Sequence, residues 1–561
     1  MGQSGRGWLE RVAKIAASRQ VGAGAWRALM AFGPRALGYG APSDELEVLL
    51  VASRFGPRVK CAEEEALGIS VFLIITDEKV LERDVKAGVL GELLADKLLV
   101  PYVPVEGADF LSKLEVELKE RLARELLLDL ASNFPKFAPE IYVDPRYFLY
   151  ETITRMARTM PSSTYMFANV LARQADRAKY EPMIMEGFRR ALRALESEGL
   201  VVLEDGLVRP TARLLKRARR GLLASAAWAV KGALRSLGKY TTKVLVGVTR
   251  PYLLEEEAFY RRFSLGARIN PLRALPRPED FLLLKTSVGF VPALREVALE
   301  EIARAVGPVG PRDDVLVSEI GGSLNVVYLV AIRSEEGTVR FVVKRFRNWD
   351  NLKWFSIRLW ALGAKRFVIS GRERLRREYT MCRKLEEMGF PVPRIFHVDL
   401  KSNTLVEEFI EGANLSDLIR AFSFGEADEG EVLGLLEEAG RLVAEVHRAG
   451  VALGDCKPEN MIVGREGRLF IVDLEQASEG GDMAWDVAEF LYYTGHYIPS
   501  VASAEPFKLM AKAFVEGYLR AGGSPELVRK APSARFARVF SILTPSHVIE
   551  AIYEVCGVGA P

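Results

Sequence analysis

Apolar and polar positions repeat at two different periods, and the period changes from one segment to the next. "DELEVLLVASRF" (44–55) and "GISVFLIITD" (68–77) are apolar runs bounded by turn or charged residues, and they predict strands. "VEGADFLSKLEVELKERLARELLLDLAS" (105–132) repeats at helical spacing, with Leu114, Leu118, Leu122 and Leu126 on one face. Residues 146–210 read as mainly helical, then give way to "ALESEGLVVLEDGLVRPT" (194–211), where two short apolar strands flank an acid-Gly turn at Glu204-Asp205-Gly206. Helices followed by one small hairpin fit either a winged helix or a plain helical connector. "INPLRALPRPED" (269–280) holds three prolines and reads as a linker.

At 561 residues the chain is too long for one core, since single cores stop growing near ~250–300 residues. Hydrophobic residues make up 49% and charged residues 27%, which suits globular domains with ample cores. The cysteines, Cys61, Cys382, Cys456 and Cys556, are far apart in sequence and suggest neither a zinc site nor a disulfide framework. Arg6, Glu10, Arg11 and Lys14 precede any apolar run, which argues against a secretory signal. "GLLASAAWAV" (221–230) ends at Lys231, short of the ~20 residues a membrane span needs. The expected location is the cytoplasm.

Net charge is +3 and says little, but its distribution says more. From Gly206 to Leu254 there is no acidic residue, while Arg209, Arg213, Lys216, Arg217, Arg219, Arg220, Lys231, Arg235, Lys239, Lys243 and Arg250 all lie there. A solvated helix face normally mixes both signs. The tract predicts an anionic partner: nucleic acid, anionic lipid, or an acidic surface of the same chain. The neighbouring winged-helix pattern favours nucleic acid.

The densest chemistry lies in "GDCKPENMIV" (454–463) and "RLFIVDLEQAS" (468–478). A helical pattern ending at Gly450 leads into a short loop carrying Asp455, Lys457 and Asn460, and a strand pair follows that places Asp473 at the end of an apolar strand. This layout suits phosphoryl transfer, where the protein positions and neutralises dispersed negative charge. Mg²⁺ prefers oxygen ligands and takes few from protein. Asp473 and the amide oxygen of Asn460 would supply them. Asp455 would orient or accept the proton of an attacking hydroxyl, and Lys457 would steady the γ-phosphate of ATP.

Upstream, "SEIGGSLNVVYLVAIRSEEGTVRFVVKRFR" (318–347) reads as three strands. Gly321, Gly322 and Ser323 form a turn whose backbone N–H groups can approach phosphate. Lys344 ends the apolar stretch "FVVK" and is placed for the α/β-phosphates. It needs an acid beside it; Glu378 is the choice, with Glu373 its rival on the same helix. "NTLVEEFIEG" (403–412) predicts a strand and a hinge at which the backbone of Glu408 and Ile410 would meet adenine.

Lys344, Glu378, "GDCKPEN" and Asp473 resemble the protein-kinase signature set. "FVVKRFRNWDNLKWFSIRLWALG" with "RLRREYTMCRKLEEMGFPVPRI" is similar to the archaeal atypical kinases, the RIO-type group and the small kinase of the KEOPS complex. The resemblance covers about 315–495. "DLE" (473–475) replaces Asp-Phe-Gly, and "GGDMAWDVAEFLYY" follows directly, without an activation loop or an Ala-Pro-Glu segment. Asp486 resembles the acid that braces a kinase catalytic loop. The four histidines, His397, His447, His496 and His547, read as packing or surface residues. "GYGAPSDELEVLLV" and the strand after it resemble archaeal nucleotidyltransferase domains, with Glu45 and Glu47 as the first acidic pair and Ser70 about where a third acid belongs.

The resemblances imply an α+β multidomain chain: a degenerate nucleotidyltransferase-like α/β domain (1–145), a winged-helix-like segment (146–215), a basic connector (216–300) and a bilobal kinase-like domain (301–561). They imply an ATP- and Mg²⁺-dependent serine/threonine protein kinase that phosphorylates a protein substrate or itself, or hydrolyses ATP. The alternatives are a phosphotransferase for a small hydroxyl compound and an ATP-switched nucleic-acid-binding factor.

Overall fold

A computed structural model describes residues 3–56, 59–90, 92–159, 163–218, 250–263, 271–295, 314–321, 325–334, 337–347, 368, 370–498, 504–540 and 544–557. The chain forms two units, Met1–Leu283 and Leu284–Pro561.

The first unit is built on β1 (Trp26–Phe32), β2 (Leu46–Ala52), β3 (Val59–Ala66), β4 (Ile69–Asp77) and β5 (Val103–Glu106), in the order β3-β4-β2-β1-β5. Only the β2–β4 pairing is parallel. β2, the run LEVLLVA, is buried along its whole length. Leu46, Val48 and Leu50 share a core with Leu9, Val12, Ala13 and Ala16 of α1 (Gln3–Val21). Successive residues of a strand point to opposite faces, so the equally buried Leu49 and Val51 are covered from the other side. That two-sided cover is why the stretch reads as continuous apolar sequence.

After α2 (Gly33–Leu37) and α3 (Glu78–Ala87) comes the long helix α4 (Ala108–Asn133), whose Leu114, Leu118, Leu122 and Leu126 are all buried. Helices α5 (Arg146–Thr159), α6 (Thr164–Leu171) and α7 (Gln174–Ser197) lead into the hairpin β7 (Val201–Glu204) and β8 (Leu207–Pro210). The short strand β6 (Ile141–Val143) pairs with β8 through Val143 and Val208. Asp205 and Gly206, with φ of 50° and 80°, supply the two left-handed residues that a tight hairpin turn demands. Within the basic tract Arg209 pairs with Glu204 at 2.6 Å and Arg213 donates to the Glu198 carbonyl at 2.7 Å. Residues 219–249 lie outside the described residues. Helix α8 (Arg250–Phe263) completes this unit.

In the second unit the chain leaves β9 (Leu282–Thr286) and β10 (Gly289–Pro292), whose linking residue Ser287 donates its N–H to the Ile395 carbonyl. An antiparallel sheet follows: β11 (Asp314–Gly321), β12 (Asn325–Ser334), β13 (Gly337–Phe346), β14 (Ile395–Asp399) and β15 (Thr404–Glu408), ordered β11-β12-β13-β15-β14. Helix α9 (Gly371–Glu387) buries Leu375, Tyr379, Cys382 and Leu385 at helical spacing.

The remainder is mainly helical. α10 (Leu415–Ser423) is capped by Asn414, whose side chain accepts the Ser416 N–H. α11 (Glu429–Arg448) crosses α13 (Glu505–Arg520), with α12 (Met483–His496) between them in sequence. The α11–α13 crossing depends on two glycines. A Cβ on Gly440 would stand 2.0 Å from the Phe514 carbonyl oxygen, and one on Gly517 would stand 2.0 Å from that of Glu437. Among the described residues no helix is long and apolar enough to cross a membrane. All four cysteines are free thiols.

Candidate active site

A cavity of about 540 Å³ opens between the β11–β15 sheet and the loop after α11. Strand alternation decides what faces it. On β13, Phe341 enters the sheet's apolar core while Val342 and Lys344 line the cavity; on β15, Val406 enters the core while Glu407 lines the cavity. Lys344 is held from two sides, 2.9 Å from Glu378 of α9 and 2.8 Å from Glu407. Glu373, the rival partner, pairs instead with Arg376 and Arg377.

Three carboxylates thus crowd one buried ammonium. Burial alone would lower the Lys344 pKa, but Glu378, Glu407 and Asp473 outweigh it and hold the lysine charged, well above its ordinary value. Burial pushes Glu378 and Glu407 up, and Lys344 pulls each partly back. Glu378 Oε2, Glu407 Oε2 and Asp473 Oδ1 are buried without a hydrogen-bond partner among the described residues. Unsatisfied buried oxygens carry a desolvation cost of about 1–3 kcal/mol each, which a cation or donor entering the cavity would relieve.

The loop carrying Asp455 is fixed from below. Asp486 of α12 is fully buried and accepts the N–H groups of Leu453 and Gly454 at 2.6 and 2.7 Å. Its Oδ2 also meets His447 Nε2 at 3.0 Å, and His447 Nδ1 meets the Tyr518 hydroxyl at 2.9 Å. Glu489, one turn on, accepts Cys456 N–H and Trp485 Nε1–H. His447 is therefore a hydrogen-bonded member of the brace, more than the packing residue that the sequence suggested. On this platform Lys457 Nζ lies 2.9 Å from Asp455 Oδ2, and Asn460 Nδ2 donates to the same oxygen and to the Asp455 carbonyl. The nearby Asp455 carboxylate outweighs burial and raises the Lys457 pKa. With its amide nitrogen so engaged, Asn460 keeps its oxygen as the end available to a cation. Asp473, two residues beyond β16 (Leu469–Ile471), adopts a φ of 62°, a conformation disfavoured for a non-glycine residue and one that often accompanies function.

The structure thus brings Lys344, Glu378, Glu408, Ile410, Lys457, Asn460 and Asp473 to one cavity or its immediate wall. The Glu408 N–H is committed to the Arg394 carbonyl at 2.8 Å, so Ile410 is the better-placed backbone donor on that wall. Gly321 pairs with Val327 at the end of β11; Gly322 and Ser323 lie outside the described residues. A buried network absent from the sequence reading adjoins them. Arg374 of α9, fully buried, donates to Asn325 Oδ1 at 2.7 Å, to both oxygens of Glu475 and to the Arg347 carbonyl, while Asn325 Nδ2 donates to Glu475 Oε2 at 2.7 Å. Burial and the neighbouring Asp473 charge push the Glu475 carboxyl up to about 7 against the pull of Arg374. The network joins strand β12, helix α9 and the Asp473 loop.

In the first unit, Glu45 accepts the Ser70 hydroxyl at 3.0 Å. Glu47 is 1% exposed and packed against Gly33, with both oxygens unpartnered among the described residues, so it is not an ordinary strand charge. Burial, then the nearby Glu255, raises its pKa well above the ordinary value.

Residues 329–488 match the model of the lipopolysaccharide kinase (Kdo/WaaP) family. The chain is 36% identical over 102 residues to the KEOPS complex subunit Bud32 of Pyrococcus abyssi, covering 18% of this chain and 44% of that protein. It is 31% identical over 147 residues to a probable serine/threonine-protein kinase BUD32 homolog of Archaeoglobus fulgidus, covering 26% and 64%. It is also 35% identical over 118 residues to a probable bifunctional tRNA threonylcarbamoyladenosine biosynthesis protein of Thermoplasma acidophilum, covering 20% of each chain. The chain spans less than two thirds of the length of each of these relatives. The likeness to atypical kinases of the Bud32 group supports an ATP-dependent kinase and gives the chain a kinase-like C-terminal region in a mixed α+β architecture.

Proposed function

We propose that the second unit is an ATP- and Mg²⁺-dependent phosphotransferase, an atypical serine/threonine protein kinase whose activity includes autophosphorylation or ATP hydrolysis. The observation that carries this reading is the convergence of Lys344, Asn460 and Asp473 on one cavity, with the Asp455–Lys457 pair at its edge. Lys344, anchored by Glu378, would bind the α/β-phosphates. The Ile410 N–H would take the base at the other end. Asp473 and the Asn460 oxygen fit a hard cation, since Asp473 Oδ1 is a buried oxygen with no other partner among the described residues. Magnesium, when bound, supplies positive charge against the transferring phosphoryl group. Asp455 orients the acceptor hydroxyl and takes its proton, and the charged Lys457 steadies the γ-phosphate oxygens.

The Kdo/WaaP match favours a second reading, in which the acceptor is a hydroxyl of a small molecule. Labelled ATP with Mg²⁺ separates the readings. Label on the chain or on an added protein supports the kinase, label on a small hydroxyl compound supports the second reading, and free phosphate alone supports an ATP-driven switch. No turnover and no binding would defeat all three.

For the rest of the chain we infer a degenerate nucleotidyltransferase-like domain, supported by Glu47 on β2 and Glu45 immediately before that strand, and a winged-helix-like segment, supported by three helices followed by the β7–β8 hairpin. The acid-free tract 209–250 would bind nucleic acid. Protein partners are expected because the Pyrococcus abyssi relative is named as a KEOPS complex subunit. The proposed setting is the cytoplasm.

A further inference from the structure

Glu407 is an acid where the cavity's chemistry does not require one. It lies on the cavity face of β15, opposite Val342, and immediately precedes the wall formed by Glu408, Phe409 and Ile410. It is 3% exposed. One oxygen is engaged by Lys344 at 2.8 Å, but Glu378 already serves that lysine at 2.9 Å. The other oxygen, Oε2, is buried with no partner among the described residues. A buried carboxylate oxygen in that state calls for a hydrogen-bond donor, and none is supplied from the described protein.

Its place in the cavity indicates what supplies the donor. Lys344 marks the phosphate end and the Glu408–Ile410 backbone marks the base end, with Glu407 between them on the inner wall. A purine lying along that backbone with its six-position edge turned to the inner wall would meet Glu407 Oε2. Adenine carries an exocyclic amine there, with two N–H donors. Guanine and hypoxanthine carry a carbonyl oxygen, which would face the carboxylate as acceptor against acceptor with no proton between them.

We propose that Glu407 determines the purine base of the nucleotide, its Oε2 accepting a hydrogen bond from the six-amino group of adenine and rejecting six-oxo purines. This inference rests on the reading of the cavity as a nucleotide site. It gives the second carboxylate on Lys344 a function besides anchoring: with Oε1 engaged by the lysine, Oε2 is the oxygen left to accept from the base.

The test is the affinity of the full chain, with Mg²⁺, for ATP and for ITP, whose purines differ at position six. Wild type, Glu407→Gln and Glu407→Met are compared, with a thermal melt confirming that each variant folds. A hydrogen bond to a charged group contributes a factor of roughly ten to a hundred, so wild type should prefer ATP by at least that much. Glu407→Met should lower the ATP-to-ITP ratio at least about tenfold. Glu407→Gln, whose amide can turn to offer either an oxygen or an N–H, should lower it mainly by improving ITP. If both variants weaken the two nucleotides equally, the ratio is unmoved and Glu407 is only a lysine anchor, which overturns the proposal and leaves the nucleotide site standing. If wild type binds neither nucleotide, the nucleotide reading itself falls.

Discussion

Replacing Arg374 by Met tests whether the buried network holds the Asp473 loop to the sheet. Arg374 is 0% exposed and its guanidinium contacts Glu475 at 2.9 Å and Asn325 at 2.7 Å. Methionine fills much of the space but leaves Glu475, 3% exposed, with Asn325 as its remaining donor from this network. Above the Glu475 titration at about 7, where the carboxylate is charged, removing one partner of the buried ion pair costs about 3–5 kcal/mol, because the other charge is left uncompensated; the melts are compared at that alkaline pH. A domain is stable by only about 5–15 kcal/mol. For a unit of this size each kcal/mol lowers the melting temperature by about 2–4 °C, so Arg374→Met should melt about 6–20 °C below wild type. The double variant Arg374→Met/Glu475→Leu removes both charges and should recover most of that loss, since well-packed apolar replacements of buried pairs are often neutral. Calorimetric melting of the full chain reads both numbers. A single variant within about 1 kcal/mol of wild type, or a double variant no better than the single, would refute the argument.

Further outcomes follow from other parts of the site. Asp486→Ala should cost about 3–5 kcal/mol and abolish phosphoryl transfer, because Leu453 N–H, Gly454 N–H and His447 lose their shared acceptor; wild-type turnover would show the brace to be dispensable. Glu475 has a raised folded-state pKa of about 7 against 4.5, so the folded state binds more protons between those values. Nucleotide-free stability should therefore fall as pH rises from about 4.5 to 7, by about 3 kcal/mol at 1.36 kcal/mol per pKa unit. Denaturant midpoints measured across that range should flatten in Glu475→Gln; an unchanged slope would assign it to another group. Asp455→Ala should abolish transfer while nucleotide affinity stays within about threefold of wild type, since Asp455 faces the acceptor hydroxyl. If the tract 209–250 binds nucleic acid, the logarithm of affinity should fall steeply with the logarithm of salt concentration, by counterion release; a flat response points to a different role.

What the sequence disclosed and what it concealed follow from the range of the interactions. Asp455, Lys457 and Asn460 were legible because their mutual geometry is set within one short loop, and Asp473 because it ends the next apolar strand. Lys344 could be found by its position at the end of "FVVK", and Glu378 by helical spacing. Arg374 and Glu475 were not legible: they meet across 101 positions, and Asn325 meets Glu475 across 150, with no local period to announce either contact. Glu407 sits in the pair "EE", where nothing in the pattern says that one side chain turns inward to Lys344 while the next turns out to Arg394. His447 reads as one polar residue near a helix end, and only its contacts with Asp486 and Tyr518 reveal the brace. The same holds for Glu47, whose strand gives no sign that a helix far along the chain places Glu255 beside it.

Calorimetric titration of the full chain with a non-hydrolysable ATP analogue and Mg²⁺ tests the shared nucleotide site most directly. One binding event is predicted, weakened at least about a hundredfold by Lys344→Met and by removing the metal or Asp473. Wild-type affinity in both Lys344→Met and Asp473→Ala would mean that these two residues do not meet on one nucleotide.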